Sequence, residues 1–344
     1  MGGLARKATI LDKISETYND AYIVDAGNLF FKDDILDPGI STESAIINAD
    51  IIIKSLNRMG LTVFSPGVKD FAAGADFILS AEKRSDFTFI SANIHDKNNQ
   101  LLFEPYIIEQ KNGLNIAFIG LSSVFNNDNI TVMPPIEALN NIMDEIVAKS
   151  DIRVLLFSSE NKDLDLLQSD VGLDLTLIIR SKDKARSSNG GPDIPVYSVG
   201  DKGKLIYQFD LENNESQAPY IDIAWCNTTI STYEKRLEKM KKGNMLTDLH
   251  AMFKDDPATL KRIIKYESKI KEAKQRLDKA INKITFNKIE ASRSIDGRID
   301  ILQIVDKGKL ELKKISTPNL NLNGNKQHQH RHMHDHDGDG VPDH

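Results

Sequence analysis

The sequence predicts an α/β fold with buried sheets, extended by a helical hairpin, and three observations predict it. Up to about residue 212, short apolar runs alternate with stretches of helical period, the pattern of strands buried between helices. Near residue 222 this alternation gives way to a long charged stretch whose apolar residues follow a heptad rhythm. The 344 residues are 40% hydrophobic and 27% charged, enough to bury a large core and too apolar for a wholly disordered polypeptide.

Each element follows in order. Ala21–Gly27 (AYIVDAG) is an apolar run stopped by glycine and reads as a buried strand. Ile46, Ile47, Ile51, Ile52 and Leu56 lie at helical spacing, so Ser44–Met59 is an amphipathic helix. Leu61–Ser65, closed by Pro66-Gly67, then Phe87–Ser91 and Ile107–Glu109 read as strands. Asn115–Leu121 (NIAFIGL) is the strongest central strand, dense in β-favouring apolar types. Ile136–Ala148 is helical, and Ile152–Phe157 and Leu173–Ile179 are strands. Pro195–Val199 and Leu205–Asp210 are expected to close the sheet as a hairpin around Gly200–Gly203.

Between Ser231 and Glu290, 16 basic and 9 acidic residues give +7, which leaves −13 on the rest of the chain. Ile263, Tyr266, Ile270, Ala273, Leu277, Ala280 and Ile284 step by threes and fours, the mark of a helix packed on another. Asp255 and Asp256 before Pro257 form a helix-opening arrangement. Ile230, Tyr233, Leu237 and Met240 keep the same spacing until Gly243-Asn244 interrupts it. Residues 221–295 are therefore expected to form an antiparallel helical hairpin with a broken first arm. Its basic charge suits either a solvated face or a binding face for an acidic protein partner or membrane surface. Ile301–Val305 and Leu310–Ile315 around Lys307-Gly308 predict a terminal strand pair over residues 296–315. From Ser316 onward asparagine, glycine and histidine dominate, and residues 316–344 read as a tail that is disordered without metal.

Several function classes are excluded or disfavoured. A net charge of −6 argues against a nucleic-acid binder. The single cysteine, Cys226, excludes an intramolecular disulfide framework and an all-cysteine metal site. No apolar stretch approaches the roughly 20 residues that span a bilayer, and no GxxxxGK[ST] phosphate loop occurs. Met1–Lys7 carries positive charge but no apolar segment follows, so it does not read as a secretory signal.

The strand-end motifs, taken together, resemble the 5′-nucleotidase branch of the calcineurin-like metallophosphoesterases. Gly2–Thr9 is similar to the family's segment after its first metal-binding strand, and Val24-Asp25-Ala26-Gly27-Asn28-Leu29-Phe30 to its second motif. Asn57–Phe71, Ser91–Ile94, Phe103–Tyr106, Gly113–Leu121 and Asp174–Ile179 continue the series over roughly residues 1–210. The resemblance implies a four-layer α/β/β/α sandwich over residues 1–220, with strand-end loops that hold two metal ions. Such chemistry needs carboxylate, imidazole and amide ligands around metals about 4 Å apart.

At the positions where the resemblance implies ligands, this chain carries other residues. The family's first strand would precede Met1. The bridging aspartate is Asn28; the asparagine and histidine of the third motif are Val68 and Lys69, followed by Asp70. Ser158-Ser159 stands where a histidine is implied, with Ser159 taken as the degenerate position, and Arg180 and Lys182 stand where the last two histidines are implied. No conventional dinuclear centre is expected. The chain reads as a catalytically degenerate scaffold, with two alternatives: a metal-dependent phosphoric monoester hydrolase acting on nucleotides, and a metal-free module that binds a small anion through Lys69, Arg180 and Lys182. The resemblance also implies a periplasmic or extracellular location, as part of a longer exported protein.

The tail carries a second signal. Asp335, Asp337, Asp339 and Asp343, with glycine at 338 and 340 and the Val341 carbonyl between, match the oxygen spacing of a calcium loop. The set resembles one short calcium repeat of the thrombospondin type-3 kind. His328, His330, His332, His334 and His336 offer imidazoles suited to zinc or nickel.

Overall fold

The computed structural model describes residues 2–18, 21–169, 174–181, 194–200, 203–215, 218–243 and 248–316. In chain order it begins with α1 (Gly2–Thr17), β1 (Val24–Asp25), α2 (Thr42–Met59), β2 (Val63–Phe64) and a 3-10 turn at Val68–Phe71. Next come α3 (Ala75–Lys83), β3 (Thr88–Phe89), β4 (Ile94–Asp96), β5 (Tyr106–Lys111), β6 (Leu114–Ser122) and β7 (Ile130–Val132). Then follow α4 (Pro135–Lys149), β8 (Ile152–Ser158), α5 (Asn161–Ser169), β9 (Leu177–Ser181), β10 (Val196–Val199), β11 (Leu205–Glu212) and β12 (Tyr220–Asp222). The chain closes with α6 (Ile223–Met240), α7 (Leu249–Met252), α8 (Pro257–Asp278), β13 (Asn282–Glu290) and α9 (Ile299–Ser316).

Two sheets face each other between helices. One has the order β1-β2-β3, and the other β10-β9-β8-β6-β5, parallel except for the antiparallel β5–β6 pair. The alternation of side chains along each strand sets the layers. On β8, Val154 and Leu156 join Val63 and Ile90 between the sheets, whereas Leu155 and Phe157 pack with Leu139 and Ile146 of α4. On β2, Val63 faces the other sheet while Phe64 faces Ile53, Ile78 and Ile301 of the outer helices. The result is the four-layer α/β/β/α sandwich. The backbones approach closely at Gly120, where a Cβ would lie 2.3 Å from the Ile90 carbonyl oxygen.

The helical hairpin joins this body through a shared polar residue. Asp222 caps α6 by accepting from the Trp225 N–H at 2.8 Å and also accepts the buried Tyr197 hydroxyl at 2.8 Å. Asp256 caps α8 through the Thr259 N–H, with Pro257 at the first turn, and α8 packs along α6. The first arm ends at Met240, and Lys242 and Gly243 follow in left-handed conformation.

Three expectations are corrected. β10 and β11 are not a hairpin: β10 pairs in parallel with β9, and β11 pairs antiparallel with β13 in a third sheet, β11-β13-β12. Across that pairing Tyr207 and Phe209 of β11 pack on Phe286 of β13, at ring distances of 4.9 and 5.5 Å, and Tyr197 of β10 joins the same cluster at 4.8 Å from Phe209. The heptad pattern also overruns its helix. α8 stops at Asp278, and Ile284 belongs to β13, whose buried Asn282 is held by the Glu215 and Ala218 carbonyls. Finally, residues 299–316 form helix α9 rather than a strand pair. Gly308 lies inside that helix because a Cβ would fall 2.2 Å from Ile51 Cδ1, so the glycine permits close packing of α9 on α2 rather than a turn.

Candidate functional site

The loops after β1, β2, β8 and β9 meet at one end of the two sheets. β1 delivers Gly27 at φ 97° and Asn28 at φ 59°. A Cβ on Gly27 would lie 2.5 Å from the Ser65 carbonyl oxygen, so this turn requires glycine. The left-handed backbone at Asn28 is one that asparagine tolerates.

Asp70 holds the turn in place. Its Oδ2 accepts the Asn28 and Gly67 N–H groups at 2.7 and 2.8 Å, and its Oδ1 accepts those of Leu29 and Phe30 at 2.7 and 2.9 Å. Burial pushes its carboxyl up to about 6 despite the pull of these four donors. Nearby, burial raises the Asp25 carboxyl against the pull of Lys7 and lowers the Lys7 ammonium.

The turn aims the Asn28 side chain across the sheets. Its Nδ2 donates to Ser158 Oγ at 2.9 Å and Ser181 Oγ at 3.2 Å, and its Oδ1 accepts the Lys69 N–H at 3.1 Å. Gly67 is equally close: a Cβ there would lie 2.1 Å from Ser158 Oγ. Val68 and Lys69 are half-buried in the 3-10 turn.

Arg180 belongs to the other side of its sheet. On β9 it alternates with Ile179 and Ser181, so it projects toward α5 while Ser181 projects toward Asn28. Arg180 is only 3% exposed; its Nε donates to Ser159 Oγ at 2.6 Å and its Nη2 to the Ser159 carbonyl at 2.7 Å. The structure thus brings Asn28 together with Ser158, Ser181 and the Lys69 backbone, and it separates Ser159 and Arg180 from them. Ser158 and Ser181 were missed as members of this cluster. Alternation carries the signal that finds them, since Ser158 follows Leu156, and Ser181 follows Ile179, on the face between the sheets. Lys182 and the tail positions Asp335, Asp337, Asp339, Val341, Asp343, His328, His330, His332, His334 and His336 lie outside the described residues.

Among the described residues, the donor set around Asn28 does not fit a pair of divalent cations. One amide and two hydroxyls cannot neutralise two metals, and the amide presents its N–H groups to the hydroxyls while its oxygen is engaged by a backbone donor. Among the described residues no group of three or more His, Cys, Asp or Glu side chains is arranged to hold a metal ion.

With this geometry in hand, comparisons with known proteins place the chain. No protein-family model matches it. It is 28% identical over 122 residues to a 5′-nucleotidase of Vibrio cholerae, a match covering 35% of this chain and 21% of the relative. It is 30% identical over 124 residues to protein UshA of Yersinia enterocolitica, covering 35% and 22%. The match thus spans about a fifth of the length of these curated relatives. In structure it is similar to the calcineurin-like phosphoesterase YfkN of Bacillus subtilis, with a TM-score of 0.59 at 15% identity over 90% of this chain and 89% of that one. Sequence and fold therefore link the chain to the calcineurin-like metallophosphoesterase and 5′-nucleotidase superfamily, and its sandwich is the fold of that phosphoesterase.

Proposed function

We propose that the protein is a catalytically degenerate relative of the 5′-nucleotidase-like metallophosphoesterases, with a binding or structural role outside the cytoplasm. The observation that carries this reading is the Asn28 side chain, hydrogen-bonded to Ser158, Ser181 and the Lys69 backbone where the family chemistry requires a carboxylate between two cations. Serine hydroxyls and an amide cross-link the strand ends at this point with no charge to offer an ion. The similarity to 5′-nucleotidases and to UshA supports the proposed location.

Catalysis is tested with the full chain carrying alanine at the tail histidines, so that tail-bound metal does not confuse the count. AMP and a generic phosphomonoester are offered with manganese or zinc, and bound metal is measured by elemental analysis. The expected result is no turnover above the metal-only control. Turnover accompanied by two tightly bound transition metals per chain would restore the hydrolase reading. The anion-binding alternative gains nothing from Arg180, which is buried and bonded to Ser159 on the far side of its sheet from Asn28.

A further role in metal binding is assigned to the tail. The spacing of Asp335, Asp337, Asp339 and Asp343 supports calcium, and the alternating histidines support zinc or nickel.

A further inference from the structure

We propose that the outer face of α8 docks on an anionic lipid membrane. The helix has two distinct faces. Ile263, Tyr266, Ile270, Ala273 and Leu277 lie on the arc that packs toward α6, where Tyr266 meets Tyr233 at 5.1 Å. Lys261, Ile264, Lys265, Ser268 and Lys271 lie on the opposite arc, and all five are exposed.

Three other bases of α8 have acidic partners, whereas among the described residues the lysines of this stripe do not. Lys269 sits 2.8 Å from Glu272, Arg276 sits 3.8 Å from the same carboxylate, and Lys274 sits 2.9 Å from Glu234. Among the described residues no acidic group pairs with Lys261, Lys265 or Lys271. The three lysines follow one line about 15 Å long, at roughly 1.5 Å per residue. Ile264 is 55% exposed between the first two lysines. Met252 is 45% exposed on α7, which packs beside α8 and is tied to it by the His250–Glu267 pair at 2.9 Å.

Lysine stems flanking an exposed aliphatic side chain suit the headgroup boundary: ammonium groups reach phosphates while the aliphatic group enters the acyl region. Polypeptide partners are instead gripped by aromatic or arginine anchors that fill pockets. The stripe has none, and the nearby Tyr233 and Tyr266 rings are covered by Arg236 at 5.1 and 5.5 Å. A convex line of lysines around one isoleucine matches fluid anionic headgroups better than a shaped acidic protein. The inference deepens the binding role proposed above, and it fails or stands independently of the hydrolysis assay.

The test is co-sedimentation of the full-length protein with vesicles of phosphatidylcholine alone or with about one-third phosphatidylglycerol, at low and high salt. Binding is expected only to the anionic vesicles and is expected to fall at high salt. The triple substitution Lys261→Gln, Lys265→Gln, Lys271→Gln should weaken partitioning by about 100-fold, at about 5-fold per lysine. Ile264→Ser should reduce the binding that persists at moderate salt. Both variants should melt like the parent, because these side chains are exposed. Equal binding by the parent and the triple variant, or no binding to anionic vesicles, would overturn the proposal. Binding of poly-L-glutamate without vesicle binding would overturn it in favour of an acidic protein partner.

Discussion

Asp70 shows how one side chain decides what a sequence motif becomes. In the sequence it is the acid that ends the third motif; in the fold it accepts four backbone N–H groups and fixes the turn that aims Asn28. Asp70→Asn would turn an NH2 toward two of those donors, and is expected to cost about 2–4 kcal/mol in denaturant unfolding. The pH dependence follows from the raised carboxyl, about 6 in the fold against an ordinary value of 3.8. Between these values the native state binds more protons than the unfolded state. This group's contribution therefore falls as pH rises from about 4 to about 6, by on the order of 3 kcal/mol, and is level above that. The stability difference between parent and Asp70→Asn, measured from pH 4 to pH 7, should carry this slope. A difference that is flat across the window would show that folding does not raise this carboxyl.

Packing between elements gives two further tests. Gly308 lets α9 lie against α2, and Ile51, 2% exposed, stands where an added methyl would go. Gly308→Ala is expected to destabilise by about 1–3 kcal/mol, although alanine is the better helix former. Adding Ile51→Val should recover part of the loss, which a double-mutant cycle in urea would read as coupling. An uncoupled pair would mean that the helices shift apart. In the hairpin, Cys226 is fully buried and burial pushes its thiol up to about 11, with Asp222 adding to the shift. A disulfide reagent at mildly alkaline pH should therefore label it only as fast as α6 opens, and rapid stoichiometric labelling of the folded protein would contradict the packing of this helix.

For the molecule as a whole, two metal chemistries are expected to reside in the tail and none in the sandwich. Calcium binding should fall with Asp337→Asn and Asp339→Asn and survive replacement of the tail histidines. Zinc or nickel binding should show the reverse pattern and weaken below about pH 6, as imidazoles protonate near a reference value of about 6.5. Titration calorimetry on the two sets of variants separates these outcomes. Metal stoichiometry unchanged in both sets would place the ions in the sandwich instead.

The sequence by itself determined the class of the fold and the residues that stand at the implied ligand positions. Buried strands such as NIAFIGL announce themselves because apolar periodicity is local, and Asn28 and Lys69 can be read from their place in ordered motifs. Tertiary structure alone decided which partner each strand takes and which side of a sheet each end residue faces. β11 pairs with β13, some 70 residues away, and not with the adjacent β10, although aromatic rings of all three strands share one cluster. Gly308 became a packing site rather than a turn because Ile51 lies opposite it. Arg180 and Ser181 are neighbours in sequence yet serve opposite faces of β9, since side chains alternate along a strand. Local spacing carries the first kind of information, whereas pairing and facing depend on residues far away in the chain.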